Sequence, residues 1–478
     1  MGLPRFVVVK SNYNNKYLQF KKEDVEVHGF LQFSGEEVFS PYAKHEVQTA
    51  KCGKGLVNIR CCYNNKYWRR WSPSHYWIIA GADEPEEDKS KWSCTLFEPV
   101  YLWHVRFRHV QLDHFSCLWR LGKDNEYDSC LFGGSKFSNK DKLDAYTIID
   151  WESLFILPKH VAFKGDNGKY LSARQIEGHP HPYLQFASTS CDIKSDPTVG
   201  NQVFITGNGS VRIKSDHLGK FWRCSPDNWI WADSDHDHTT TSSNNSDSDS
   251  DTLFWPIKVN NNVVALRNLR NNNFCSRSKG GKTSCLNAAV PTISKEARLQ
   301  VEELVLSRNI YEVNYHIKDA RIYNQSVVTL ANRNAVNKTQ NPKTVQVKLP
   351  YTEKTSWTWN ASISLKLGTK TNLKTGVPLI GDQKIVEISA EFNGEYQWGN
   401  TEDSTKAVEK VYEVADVPPM SQVKVSLLAT KASCDVPFSY SQCDTLTNGE
   451  EITYTMDDGV YTRINCFDFN YETKPENL

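Results

Sequence analysis

Polar and apolar residues alternate with period two over residues 362–393, the pattern of a β-hairpin whose two faces meet different surroundings. On the outgoing run Ile363, Leu365, Leu367, Thr369, Thr371 and Leu373 share one face, and Ser364, Lys366, Lys370, Asn372 and Lys374 share the other. On the return run Val386, Ile388, Ala390 and Phe392 oppose Glu387, Ser389, Glu391 and Asn393, with Ile385 the exception. The Gly- and Pro-bearing stretch from Thr375 to Asp382 is expected to form the turn, partly apolar at Val377 and Leu379. About ten residues rise roughly 33 Å, and a tilt near 40° projects that onto the roughly 25 Å apolar band of a membrane barrel. The expectation is a hairpin able to turn Ile363, Leu365, Leu367, Val377, Leu379, Val386, Ile388, Ala390 and Phe392 to lipid. Ser364, Lys366, Lys370, Glu387, Ser389 and Glu391 would then line a wet lumen. A solvent-facing hairpin packed on a core alternates in the same way, so the pattern leaves both readings open.

Elsewhere the chain is read as short strands in repeats. Tyr13-Asn14-Asn15-Lys16-Tyr17-Leu18 returns 50 residues later as Tyr63-Asn64-Asn65-Lys66-Tyr67-Trp68, and more weakly at Asp113 to Trp119. Three such units cannot each bury an apolar face alone, which predicts a β-trefoil. The block then recurs: Pro158 to Phe163 mirrors Pro4 to Val9, and Lys169-Tyr170-Leu171 mirrors Lys16-Tyr17-Leu18. Phe221-Trp222-Arg223-Cys224-Ser225-Pro226 follows Tyr67 to Pro73, and Cys285-Leu286 follows Cys130-Leu131. Beyond about residue 305 the repeat ends, and alternations such as Thr344 to Leu349 and Val423 to Leu427 predict long antiparallel strands. The expected architecture is all-β: trefoils over 1–152 and 153–304, then an elongated twisted antiparallel domain over 305–478 carrying the hairpin.

Composition narrows the partners. With 56 basic and 56 acidic residues the chain has no net charge, and bulk electrostatics give no support to a nucleic-acid partner. No run approaches 18 apolar residues, so no membrane-spanning helix is expected. The N-terminus shows no apolar segment of the secretory kind, which predicts a cytoplasmic or nucleocytoplasmic protein as synthesised, membrane-associated only on pore formation. The thirteen cysteines lack zinc-ribbon spacing and are expected as free thiols, Cys434 and Cys443 being the first suspects for a bridge across a possible loop. The acidic run 233–251 lacks the glycine and terminal glutamate of a calcium loop and is expected as a mobile segment. No metal or cofactor is expected.

The paired trefoils, with Lys16-Tyr17-Leu18, Trp222-Arg223-Cys224-Ser225-Pro226 and Asn228-Trp229-Ile230-Trp231-Ala232, resemble the amaranthin family of plant agglutinins over the first 300 residues or so. The remainder resembles the aerolysin-type pore-forming module, chiefly through the Ser/Thr-flanked hairpin and Thr375-Gly376-Val377-Pro378-Leu379. The resemblance implies a defence lectin that binds N-acetylgalactosamine or Gal-GalNAc glycans between trefoils of different subunits, hence a homodimer in solution and a ring oligomer as a pore. Carried onto this chain, it implies sugar contacts at His75, Tyr76 and Trp77 in the first trefoil and at Asn228, Trp229 and Trp231 in the second. The chemistry is suitable, since CH-rich sugar faces stack on aromatic rings while hydroxyls need fixed amide or imidazole partners. Trp77 and Trp231 are equally suited to a trefoil core. His75 stands where the pattern favours asparagine, as at Asn228.

Two other classes compete. A glycosidase needs two carboxylates about 5 to 9 Å apart; Glu36-Glu37 and Glu86-Glu87-Asp88 look like solvated turns, and no nucleophile elbow, phosphate loop or His-Glu-x-x-His occurs. The expectation is a non-enzyme. The alternative to the pore is a non-lytic trefoil scaffold or glycan sensor in which the hairpin is only structural.

Overall fold

The computed structural model describes all residues except 1, 23–28, 123, 139, 236–246, 281, 362–369, 382–383 and 477–478. Among the described residues every long element is a β-strand, and the only helical pieces are short 3₁₀ turns. The described residues fall into two compact units, one of 2–309 with Gln442–Tyr454, the other of 310–361, Asn372–Ser441 and 455–476.

The first unit holds two β-trefoils, each a 12-stranded sheet closed on itself. In the first, Phe6–Ser11 pairs antiparallel with Tyr146–Asp150; in the second, His160–Lys164 pairs with Leu299–Glu303. Each core is built from inward-facing positions of all three repeats, with a fully enclosed tryptophan near its centre: Trp68 among Val7, Leu18, Ile59 and Phe97, and Trp222 among Val161, Leu171, Ile213 and Phe254. Both indole N–H groups are satisfied, Trp68 Nε1 donating to His45 Nδ1 at 3.3 Å and Trp222 Nε1 to Asn201 Oδ1 at 3.2 Å.

The repeated Tyr-Asn-Asn-Lys-Tyr has a backbone cause. Asn14 and Asn64 each accept from the backbone N–H two residues on, at 3.1 Å, and donate through Nδ2 to the carbonyl of Phe33 and Ala80, both at 2.9 Å. Asn15 and Asn65, which follow, have φ of 61° and 56°, the left-handed region that asparagine tolerates. Asn167 and Asn271 repeat the device in the second trefoil. The faint third copy at Asp113 keeps the left-handed φ of 57° but has Leu112 before it.

The C-terminal strands form an eight-stranded sheet with Lys384–Glu395 at one edge, then Lys370–Gly381, Val305–Tyr315, Ser421–Leu446, Glu451–Glu476, Lys343–Ala361 and Thr401–Val417; Arg321–Asn337 pairs with Ser421–Leu446 off this path. Strands of up to 26 residues carry it, as their long alternations require. One core gathers Tyr315, Trp359, Leu373, Ile380, Tyr396, Phe438 and Tyr461; another gathers Val347, Leu349, Val414, Val425 and Leu427.

Two expectations are corrected here. Residues 375–381 are strand rather than turn: Leu379 pairs with Val386 and Gly381 with Lys384. Gly376 and Pro378 sit inside the ladder, where the register slips between Thr375 and Val377. Cys434 and Cys443 do not flank a loop. Both lie in the continuous strand Ser421–Leu446 as free thiols, and a rise of about 3.3 Å per residue keeps them far beyond bonding distance.

Candidate carbohydrate site and insertion hairpin

Three hairpins meet at one end of each trefoil. In the first, Phe30 bridges to Ile79, Trp77 pairs with Phe132, and Gln32 bridges to Cys130. In the second, Tyr183 pairs with Trp231, Trp229 bridges to Asn287, and Gln185 bridges to Cys285. These pairings set the true equivalences: Trp77 corresponds to Trp229, Ile79 to Trp231, and Tyr76 to Asn228. The match implied by the sequence, which set His75 against Asn228, is one residue out of step. The reason is loop length. Arg70 pairs with Ile78 but Cys224 with Ile230, eight positions against six, so the two Ser-Pro steps are not equivalent.

In the first trefoil this end is an aromatic plug. Trp77 lies 5.9 Å from Phe30, 5.8 Å from Tyr127 and 4.8 Å from Phe132 between ring centroids, and is half-buried. His75 and Tyr76 are exposed beside it. His75 stacks on Trp71 at 4.1 Å with Nδ1 2.7 Å from Ser72 Oγ, and the Arg70 guanidinium lies 5.1 Å from the Tyr76 ring.

The second trefoil builds the same end from polar chemistry. Lys282 occupies the place of Tyr127, each carbonyl accepting from the following cysteine N–H at 3.2 Å. Its ammonium lies 5.0 Å from the Tyr183 ring and 4.9 Å from the Trp229 ring, a geometry the ring quadrupoles favour. His181 stacks on Trp231 at 3.9 Å, and its Nδ1 lies 2.8 Å from Asp233, which also accepts from Arg223 Nε and Nη2 at 2.6 and 2.9 Å. Asn228 sits at φ 66° in a turn closed on the buried Ser225, and its Oδ1 accepts from Asn271 at 2.9 Å. Among the described residues Trp231 Nε1 is enclosed without an acceptor. The half-buried rings of Trp229 and Trp231 thus stand among an amide, an imidazole, a guanidinium and an ammonium, which is the donor-rich aromatic surface a sugar needs. Tyr183, His181 and Lys282 are not among the residues read from the sequence. They come from two other hairpins, and only strand pairing brings them in.

The agglutinin domain model matches residues 1–150 and 155–304, nearly two thirds of the chain, and the aerolysin toxin model matches 303–446. The chain belongs to the agglutinin-domain family. Its C-terminal part is an aerolysin-type module. The agglutinin chain is 28% identical over 166 residues to Natterin-3 of Thalassophryne nattereri, covering 35% of this chain and 45% of that relative, so it spans about half the relative's length. It is also similar to the lamprey immune protein (10% identity, TM-score 0.31, 66% and 91% of the two chains) and to an aerolysin-like protein of Bombina maxima (14%, 0.24, 36% and 99%).

In the aerolysin module the hairpin lies at the sheet edge, and Lys384–Glu395 there is hydrogen-bonded to Lys370–Gly381. Leu373 and Ile380 are buried in the aromatic core, while Val377, Leu379 and Phe392 are half-buried, Phe392 packing 5.0 Å from Trp359. Polar clasps add to this. Tyr315 donates its hydroxyl to the Gly376 carbonyl at 3.0 Å, and Asn465 Nδ2 donates to the Ile380 carbonyl at 2.9 Å. Ile363, Ser364, Leu365, Lys366 and Leu367 lie outside the described residues. Of Lys370, Val386, Glu387, Ile388, Ser389, Ala390 and Glu391 the backbone is placed in the two strands and the side chains are not described.

Proposed function

We propose that this agglutinin gathers on glycosylated membranes through its trefoils and then forms an oligomeric β-barrel pore from the hairpin at 362–393. The ligand class is N-acetylgalactosamine or Gal-GalNAc glycans, bound as a homodimer in solution, and the setting is plant defence as the amaranthin-like pattern implies. The position of the hairpin carries the reading: as the terminal strands of the sheet, it can leave by parting one ladder, with the other strands still paired. An isolated hairpin cannot span lipid because its edge amides would lack partners, so insertion is cooperative among subunits brought together by avidity. No helix among the described residues is long and apolar enough to cross a membrane, and barrels cross with strands.

The test is dye release from vesicles with and without GalNAc-terminated glycolipid. Leakage confined to glycan-bearing vesicles, with a steep dependence on protein concentration, is expected. Vesicles that bind the protein and stay tight at every concentration would favour the non-lytic scaffold. A glycan array on the full chain, with Trp229→Ala and Trp77→Ala compared, assigns the sugar to one trefoil or both.

A further inference from the structure

The hairpin Leu96–Tyr101 and Val105–His109 of the first trefoil ends in Tyr101-Leu102-Trp103-His104, closed by the Leu102 N–H donating to the His104 carbonyl at 3.2 Å. Trp103 is 98% exposed, Leu102 61% and Tyr101 51%, and no ring contact is recorded for Trp103 among the described residues. A tryptophan left wholly in water forgoes the burial its large apolar surface favours. The fold does not require it. The second trefoil builds the equivalent hairpin, Phe254–Asn260 with Val263–Asn268, Pro256 opposite Leu266 as Pro99 is opposite Phe107, with a bulge between Lys258 and Asn260 before its turn. There the turn is Asn261-Asn262, entered from Asn260.

We infer that the Tyr101-Leu102-Trp103 tip is a landing site for the interface of a neutral lipid bilayer, engaged independently of sugar. Three observations select lipid over a protein partner. The patch is a single protruding turn, and its three side chains offer roughly 500 Å², below the roughly 800 Å² per partner of a stable protein interface. Its make-up, an indole and a phenol flanking an aliphatic, is that of the aromatic belt at membrane–water boundaries. The tip is also electrically quiet. Arg106 is tied to Asp144 at 3.2 Å and Arg108 to Asp113 at 3.1 Å, leaving neither guanidinium free to seek anionic headgroups. The inference rests on reading the chain as membrane-acting, and it stands apart from the lectin step.

Flotation of the full chain with glycan-free phosphatidylcholine vesicles tests it. The wild type is expected to float equally at low and high salt, and Leu102→Asn with Trp103→Asn, a polar turn like that of the second trefoil, to weaken partitioning by roughly tenfold or more with thermal unfolding unchanged. The inference is overturned if the wild type stays in the aqueous layer, if the double variant floats as well as the wild type, or if high salt releases the protein. It is overturned too if ultracentrifugation shows a dimer that the double variant loses. Dye release from glycan-bearing vesicles by the double variant at raised concentration separates the two ideas: leakage there with no flotation on plain lipid upholds the pore and places the loss on the tip.

Discussion

The two trefoils share a backbone plan and differ at the points where chemistry could be spent, and the differences fall in corresponding places. Where the first fills its three-hairpin end with Phe30, Trp77 and Tyr127, the second has Tyr183, Trp229 and Lys282. Two interior positions also differ. His45 and His109 in the first trefoil become Asn201 and Asn268 in the second, each keeping one partner: His45 and Asn201 both accept from the core tryptophan, His109 Nε2 lies 3.1 Å from the Cys94 carbonyl, and Asn268 Nδ2 donates to the equivalent Asp251 carbonyl at 2.9 Å. A duplicated fold thus keeps one key hydrogen bond at each position while changing which residues can carry charge.

The harshest way to break the comparison is to empty one centre. Trp68→Ala and Trp222→Ala are each expected to cost roughly 3 to 5 kcal/mol. Calorimetry should show one trefoil's transition moving while the other's holds; a joint shift would mean that the two do not fold independently.

Acid should separate the trefoils next. Burial holds His45 and His109 at about 4, so each is neutral when folded and takes up a proton on unfolding below its ordinary 6.5. The first trefoil therefore loses stability as pH falls from 6.5 towards 4, by up to about 3 kcal/mol per histidine. In the second, burial also lowers His160, but it pushes Asp216 up to about 6, and a carboxyl that keeps its proton in the fold gains stability on acidification. Chemical denaturation of the two transitions at pH 7 and pH 5 checks this. His45→Asn with His109→Asn should flatten the acid response of the first, and an unchanged response would refute the assignment.

Smaller effects sharpen the picture. Asn64→Ala and Asn271→Ala each remove a turn bond and a cross-strand bond and should cost about 1 to 2 kcal/mol by urea unfolding, whereas Leu112→Ala, at the same place in the copy without the asparagine, tests packing alone. Smallest in stability, within about 1 kcal/mol, are the exchanges Tyr127→Lys and Lys282→Tyr. Their readout is sugar binding by calorimetry: Lys282→Tyr should weaken it in the second trefoil, and no change would remove Lys282 from the site.

The repeats were legible because the asparagine turns need the same residues each time, and the long strands because alternation survives over many positions. The hairpin's reversal was misread at Gly376 and Pro378, residues that signal turns locally yet here sit at a register slip whose carbonyl Tyr315 holds from another strand. His75 is matched to Asn228 one residue out because only cross-strand pairing reveals a two-residue difference in loop length. Lys282 and His181 carry no local signal at all.

The central claim is that the edge hairpin leaves its sheet to make the pore. A disulfide engineered between Lys370–Gly381 and Val305–Tyr315, measured by dye release from GalNAc-bearing vesicles beside wild type oxidised in the same way, tests it most directly. Tight vesicles when oxidised, leakage restored by reductant and undiminished glycan binding in both states is the predicted result; full leakage from the locked protein would contradict it.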